Sequence, residues 1–333
     1  MAEVISHRLT VSEVIEETAE ARSLVFEQVF PYRPGQFITL RVPSDRTGSV
    51  ARCYSLCSSP HTDARLTVTV KRTPGGYASN WLCDNVRPGT ALEALAPAGI
   101  FSPRSLDGDL LLLAAGSGIT PIMSIIKSAL AEGTGRLTLV YANRDESSVI
   151  FRDQLRTLDP ARLTVIHWLE TVQGLPTPAH LRALISPAAH AEVLICGPKP
   201  FMAAARTALA DLDVPKDRIH IERFTSLSGN PFEQSTPISD DSRPSTVEVE
   251  LDGERHRLTW PAQTKLLDLF LDSGLAAPYS CREGACSACA CRLVSGEVKM
   301  LNNEVLDQDD LDDGIILACQ SLPVTDVVQI SYE

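Results

Sequence analysis

No apolar run in the chain reaches the roughly 20 residues needed to span a bilayer. The nearest, Leu110 to Ile126, is broken by Gly116, Ser117 and Gly118, so no membrane insertion is expected. The opening stretch MAEVISHRLTVSEVIEE lacks a basic head followed by an apolar core; no secretory signal is read there, and a cytoplasmic location is expected. Basic stretches are missing as well. With a net charge of −12 the chain has no electrostatic footprint for nucleic acid. Internal repeats, low-complexity tracts and an obvious catalytic triad are also absent.

What is present is an ordinary globular composition, 44% apolar and 22% charged over 333 residues, enough for two or three domains. Charge is unevenly spread. Residues 240–333 hold 18 acids and 7 bases, a balance of −11 out of −12, which points to separate modules. Four of the nine cysteines crowd into Cys281, Cys286, Cys289 and Cys291, a pattern that suits a cofactor better than a disulfide frame.

Residues 1–104 read as β: SLVFEQV, QFITLRV and RLTVTVKR alternate or are β-branched, with Pro34-Gly35 and Pro74-Gly75-Gly76 as turns. About six such strands make a small antiparallel barrel or sandwich. Residues 105–226 change texture. LLLLAA, RLTLVYA, RLTVIHW and AEVLICG are buried-type strands alternating with helical PIMSIIKSALA and PKPFMAAARTALADL, the signature of a doubly wound α/β sheet. Residues 227–245, rich in Ser, Pro, Asp and Gly, read as a linker. In 246–333, VEVEL, an Asp252-Gly253 turn and HRLTW make a hairpin, and TKLLDLFLDSG a short helix stopped by Gly274.

Cys281, Cys286, Cys289 and Cys319 give C-x4-C-x2-C-x29-C, the plant-type [2Fe–2S] ligand spacing. Four thiolates offset the positive charge of two irons and two sulfides. The small Gly284, Ala285, Ser287 and Ala288 let the loop wrap closely and turn N–H groups towards sulfur. A structural zinc is the alternative, but only one C-x2-C pair is present. Cys291 reads as a buried small hydrophobe.

Two further regions carry phosphate-binding chemistry. Arg52-Cys53-Tyr54-Ser55 places a guanidinium and a flat ring on one strand face; taken alone it reads as a plain barrel strand. Gly75-Gly76 leads into a helical stretch holding Ser79, which is an anion site or simply a capped turn. LLLLAA runs into Gly116-Ser117-Gly118-Ile119-Thr120-Pro121, with Thr120 as the expected N-cap and Pro121 as the first helical residue. VLIC runs into Gly197-Pro198 and places Cys196 at a strand's carboxyl edge. Taken alone, Cys196 reads as a packed core thiol.

In order, R-x-Y-S, GG-x-x-S, GSGITP, CGPKPF and E-R-F resemble the ferredoxin–NADP reductase superfamily, and the last 88 residues or so resemble the β-grasp fold of plant-type ferredoxins. The chain as a whole resembles the reductase components of multicomponent oxygenases. YANRDESSVIF and CREGACSACAC are most similar to the group serving 3-ketosteroid 9α-hydroxylase, with phenylacetyl-CoA epoxygenase reductases as neighbours.

The resemblance implies a β-barrel flavin domain, an α/β NAD(P) domain and an α+β β-grasp ferredoxin domain, with FAD, a [2Fe–2S] cluster and NADH or NADPH as cofactors. A terminal oxygenase of Rieske type is the implied partner. It further implies that Arg52 neutralises the flavin pyrophosphate, Tyr54 stacks on the ring and Ser55 bonds near its N5. Gly75, Gly76 and Ser79 would hold FAD phosphates, while Gly116, Gly118, Thr120, Gly197 and Pro198 would line the dinucleotide site. Cys196 and Glu222 are implied beside the reacting centre, and Phe224 over the second flavin face. Phe224 as a buried plug is the alternative.

FAD is implied over FMN, because phthalate-type relatives carry FMN in a different domain order. Arg144 suits the 2′-phosphate of NADPH, whereas the neighbouring acids and the steroid-hydroxylase resemblance favour NADH; the reading leans to NADH. The six acids between Glu304 and Asp313 are either a solvated face or a steering surface for a basic partner. A redox sensor that never turns over is the rival from another functional class.

Overall fold

Period-two alternation in the first hundred residues becomes six strands: β1 (His7–Thr18), β2 (Ala21–Phe26), β3 (Phe37–Ser44), β4 (Gly48–Ser55), β5 (Thr67–Lys71) and β6 (Ala91–Ala94). The structure is a computed structural model that describes residues 6–233 and 244–332, with Asp309 by its backbone alone. The strands form one sheet in the order β4-β3-β6-β1-β2-β5. Neighbours β1–β2, β1–β6, β2–β5 and β3–β6 pair antiparallel. Leu9, Val11, Leu24, Phe26, Ile38, Leu40, Val68 and Val70 fill the interior, and the helix α1 (Tyr77–Asn85) follows β5.

The next segment is a parallel five-stranded sheet of β7 (Leu110–Ala115), β8 (Leu137–Asn143), β9 (Leu163–Leu169), β10 (Glu192–Cys196) and β11 (Ile219–Glu222). Its order is β11-β10-β7-β8-β9. Chain order reverses between β7 and β10, and open sheets of this kind bind ligands at the carboxyl ends beside that switch point. The LLLLAA strand is buried along its whole length because both faces are covered. Leu110, Leu112 and Ala114 pack with Ile119, Ile122 and Ile126 of the helix α2 (Ile119–Glu132). Leu111, Leu113 and Ala115 pack on the opposite side with Ala205, Ala208 and Leu209 of the helix over Lys199–Ala210.

The C-terminal sheet contains β12 (Ser245–Leu251), β13 (Glu254–Trp260), β14 (Ala290–Ser295), β16 (Ile315–Leu317) and β18 (Val327–Ser331), in the order β13-β12-β18-β14-β16; β15 (Val298–Met300) and β17 (Ser321–Pro323) pair separately. Asp252 and Gly253 have φ of 53° and 76°, the two positive values that a two-residue I′ turn demands. Val247, Val249, Leu251, Trp260, Leu267, Phe270 and Val328 form the core, and Cys289, Cys291 and Cys319 join it.

Of the expected linker, residues 234–243 lie outside the described residues. Its first residue, Leu227, is buried, and Ser245 already opens β12. Pro43–Arg52 belongs to the same compact unit as Thr225–Glu333, while His7–Val42 and Cys53–Phe224 make up the second unit.

Candidate nucleotide, flavin and iron–sulfur sites

At the switch point two chain segments run in backbone contact. Gly116 has φ +54°, and a Cβ on Gly118 would stand 2.1 Å from the carbonyl oxygen of Cys196. A Cβ on Gly197 would stand 2.9 Å from that of Ala115. Tyr141 Oη donates to the Gly116 carbonyl (3.1 Å) and holds the turn from β8. The strand turns here into the helical end that opens α2, the usual place for a phosphate, and the first N–H of α2, that of Ile119, bonds to the Gly116 and Ser117 carbonyls.

Thr120 is not the N-cap. Gly116–Gly118 forms a 3-10 turn that runs straight into α2, so the cap is Gly118 and Thr120 is the second helical residue. Its Oγ1 donates to the Ser117 carbonyl at 3.0 Å, and Pro121 falls third, where no intrahelical N–H is yet required.

Cys196 is fully buried in the apolar cluster on the α2 side. Burial, and then the neighbouring Glu222, raise its thiol well above the ordinary cysteine range. The two residues face each other in register across β10 and β11. Desolvation pushes the Glu222 carboxyl up to about 7, with the Arg223 amide and charge opposing. Two residues on, Phe224 is 52% exposed.

Lys71, at the end of β5, was missed by sequence reading. Its Nζ lies 3.5 Å from where a Cβ of Gly116 would be, which puts a cation beside the glycine turn. Arg144 is engaged with acids: Nε meets Asp145 at 2.9 Å and Nη2 meets Glu20 at 3.8 Å. The Arg144 partnership, helped by Ser147, holds the Asp145 carboxyl well below the usual range.

On β4, Ser55 is buried and Arg52 and Tyr54 are half-buried. Arg52 Nη1 donates to the carbonyls of Ala51 (2.6 Å) and Leu227 (3.0 Å). After β5, Gly75 takes φ +70°, and the Gly76 N–H bonds to the Thr73 carbonyl at 2.9 Å. Ser79 does not cap α1. Its Oγ accepts from the Thr73 N–H at 3.1 Å, which braces the turn. Asn80, also missed, donates through Nδ2 to the carbonyls of Thr73 (3.0 Å) and Gly76 (2.6 Å). Its only signal was an amide one turn into a helix that lacks a side-chain cap.

In the C-terminal domain Cys281, Cys286, Cys289 and Cys319 are all buried. Their thiols are strung together by hydrogen bonds, Cys286 to Cys281, Cys281 to Cys319 and Cys319 to Cys289. Those bonds lower the Cys281 thiol and raise that of Cys319. Donors point at the sulfurs. The N–H groups of Glu283 and Cys319 reach Cys281 and Cys289, each at 3.5 Å, and Gln320 Nε2 reaches Cys319 at 3.8 Å. Gly284 has φ +81°, and a Cβ there would stand 2.7 Å from the Asn302 carbonyl oxygen.

Among the described residues, no group of three or more His, Cys, Asp or Glu side chains forms a site for one metal ion. Four thiols joined in a string, with N–H donors aimed at them, fit a two-iron cluster held by four thiolates. Cys291 stands apart; burial pushes its thiol up, as for a core residue.

Three family models match in chain order: an oxidoreductase FAD-binding domain over residues 9–102, an oxidoreductase NAD-binding domain over 112–207 and a 2Fe–2S iron–sulfur cluster binding domain over 249–324. The ferredoxin reductase component of 3-ketosteroid-9-alpha-monooxygenase from Mycobacterium tuberculosis is 58% identical, over 98% of this chain and 95% of that protein. Its counterpart from Mycolicibacterium smegmatis is 59% identical over 98% and 96%. Phthalate dioxygenase reductase, described as a modular structure for electron transfer from pyridine nucleotides to [2Fe–2S], superposes with a TM-score of 0.60 at 25% identity, covering 98% of both chains. That end-to-end match corrects the expected difference in domain order. No helix among the described residues is long and apolar enough to cross a membrane. With its FAD-binding, NAD-binding and 2Fe–2S domains and its end-to-end identity to these relatives, the chain belongs to the family of oxygenase ferredoxin reductase components.

Proposed function

We propose that the chain takes a hydride from NADH and delivers single electrons to a Rieske-type terminal oxygenase that hydroxylates a 3-ketosteroid. The observation that carries this is the 58–59% identity, over 98% of the chain, to ferredoxin reductase components of 3-ketosteroid-9-alpha-monooxygenase. A component of 1,2-phenylacetyl-CoA epoxidase from Escherichia coli is 34% identical over the same share, which favours the steroid reading. The working division is 1–104 for FAD, 105–226 for NAD and 246–333 for the cluster. When bound, FAD supplies two-electron acceptance and a [2Fe–2S] cluster one-electron delivery.

The chain's part is binding and placement. Arg52, Gly75, Gly76 and the turn braced by Ser79 are assigned to the flavin phosphates, and Tyr54, Ser55 and Phe224 to its ring. Gly116, Gly118, Thr120, Gly197 and Pro198 are assigned to the dinucleotide. A pyrophosphate there gains the α2 dipole and the Lys71 charge. Arg144 already meets Asp145 and Glu20, and two acids beside it disfavour a 2′-phosphate. That supports NADH.

Glu222 holds a proton near neutrality. With a carboxyl at about 7, hydride transfer from NADH is expected to fall about tenfold from pH 6 to pH 8, and Glu222→Gln flattens that profile. The linkage sign gives a second check. A carboxyl raised in the fold adds stability that is full below its unfolded pKa near 4.5 and lost as pH rises to about 7. The melting temperature of Glu222→Gln therefore drops less between pH 5 and pH 8 than that of the parent.

The deciding experiment is the visible spectrum of the purified protein before and after NADH or NADPH, followed by cytochrome c reduction and electron delivery to a purified steroid-hydroxylating oxygenase. Flavin and iron–sulfur bands that bleach faster with NADH, with multiple turnover, are expected. A flavin-replete protein that does not turn over is a sensor, and the proposal is then wrong.

A further inference from the structure

Between the first two cysteines of the iron–sulfur motif stands a carboxylate bonded to a distant strip of chain. Glu283 Oε1 accepts from the Ser228 N–H at 2.8 Å, and Oε2 accepts from Ser228 Oγ at 2.7 Å and from the Gly229 N–H at 2.6 Å. A Cβ on Gly229 would stand 3.1 Å from Oε2, so a residue without one lets the backbone come this close. The backbone of Glu283 is committed too. Its N–H reaches Cys281 Sγ at 3.5 Å, and its carbonyl accepts from Asn302 Nδ2 at 2.8 Å.

The strip gripped by Glu283 is held from a second direction. Arg52 Nη1 donates to the Leu227 carbonyl at 3.0 Å, and Asn230 Nδ2 donates to Ser49 Oγ at 2.9 Å. The Leu227 side chain is buried. Ser49 and Arg52 lie on β4, and Pro43–Arg52 shares a compact unit with Thr225–Glu333. Residues 227–230 are thus bonded to the strand that carries Arg52 on one hand and to the loop that carries Cys281 and Cys286 on the other. Three charge-assisted bonds to one carboxylate make Glu283 the strongest link in that chain.

We infer that Glu283 is a positioning residue for electron transfer from flavin to cluster: it fixes the ligand loop to a strip anchored on the flavin-motif strand. The inference rests on the proposed reductase function. Electron transfer falls steeply with separation, so a loop free to shift by about 1 Å loses much of its rate, as misplacement does in other reactions. The carboxylate bonds run to Ser228 and Gly229, while the backbone N–H is what meets a ligand sulfur.

The test uses full-length holoprotein mixed rapidly with NADH, following flavin and cluster bleaching separately. In Glu283→Ala the cluster phase is expected to slow roughly tenfold, with the flavin phase and the cluster midpoint potential unchanged. Glu283→Gln, which keeps an acceptor oxygen, recovers part of the rate. Hydrogen exchange at the Ser228 and Gly229 amides rises in Glu283→Ala, an assay independent of turnover. Should Glu283→Ala fail to retain its cluster, the Ser228→Ala/Gly229→Ala double variant weakens the same grip away from the ligands and slows the same phase. A cluster phase at the parent rate despite lost amide protection, in either variant, overturns the inference. A parent protein whose flavin NADH cannot reduce overturns the reductase reading instead.

Discussion

Cys286→Ser protein is expected to keep its flavin and its NADH-dependent reduction of ferricyanide while losing the iron–sulfur bands and electron delivery to the oxygenase. The exchange is nearly isosteric, and the domain core that includes Trp260, Leu267 and Phe270 is untouched. What changes is the donor set. Cys286 is one end of the thiol string, bonded to Cys281, and a serine hydroxyl does not ionise to offer iron the thiolate it needs. The buried hydroxyl itself costs about 1–3 kcal/mol if left unpaired, which a core of this size absorbs, so the circular dichroism spectrum stays native. Oxygenase-coupled turnover falls by roughly 100-fold or more, beyond the 10–100-fold that changes outside the ligand set cost at metal sites. Cys291→Ser, two residues past Cys289, retains full iron and full turnover, because Cys291 belongs to the core and not to the string. Full iron content and full oxygenase turnover in Cys286→Ser would discard the four-cysteine assignment.

The readability of this chain depended on which kind of constraint wrote each residue. Ligand chemistry fixes spacing along the sequence, so Cys281, Cys286, Cys289 and Cys319 were legible. The Asp252-Gly253 turn was legible for the same local reason, since only certain residues tolerate two positive φ values. Apolar runs of the buried type exposed β7 to β10. The four residues of β11 were too few to stand out, although Glu222 and its register with Cys196 depend on them.

Local rules failed where two elements fuse. Thr120 has the chemistry of an N-cap, but the glycine turn folds as a 3-10 segment continuous with α2 and moves the start forward to Ile119. Contacts between distant segments left no trace in sequence. Glu283 and Ser228 are 55 positions apart, and Arg52 and Leu227 are 175 apart. A composition that reads as linker concealed a buried leucine and a hydrogen-bonded strip.

Gly118→Ala is the sharper test of the nucleotide site, because the expected effect comes from packing alone. Gly118 has an ordinary φ of −62°, so an alanine backbone is unstrained there. The added methyl carbon, however, lands 2.1 Å from the Cys196 carbonyl oxygen, 2.4 Å from its carbon and 2.8 Å from the Gly197 nitrogen. All three are backbone atoms, and no rotamer relieves the overlap. Either the glycine turn lifts away from β10 or the end of β10 moves, at a cost of about 3 kcal/mol, the upper end of ordinary overpacking. Both movements displace the helix N-terminus from the Cys196–Gly197 edge, where the dinucleotide is assigned.

NADH-driven flavin reduction is therefore expected to fall roughly 100-fold, in line with a displacement of about 1 Å at a reacting centre. Bleaching of the flavin and iron–sulfur bands by dithionite persists, because the barrel and the ferredoxin-type domain are untouched. Gly89→Ala, at a turn assigned to no cofactor and with φ +88°, supplies the contrast. A Cβ there meets nothing within 4 Å, so only the positive φ is penalised, by about 1–2 kcal/mol, and NADH affinity stays at the parent value. A Gly118→Ala enzyme whose kcat/KM for NADH matches that of the parent removes the switch-point turn from the coenzyme site.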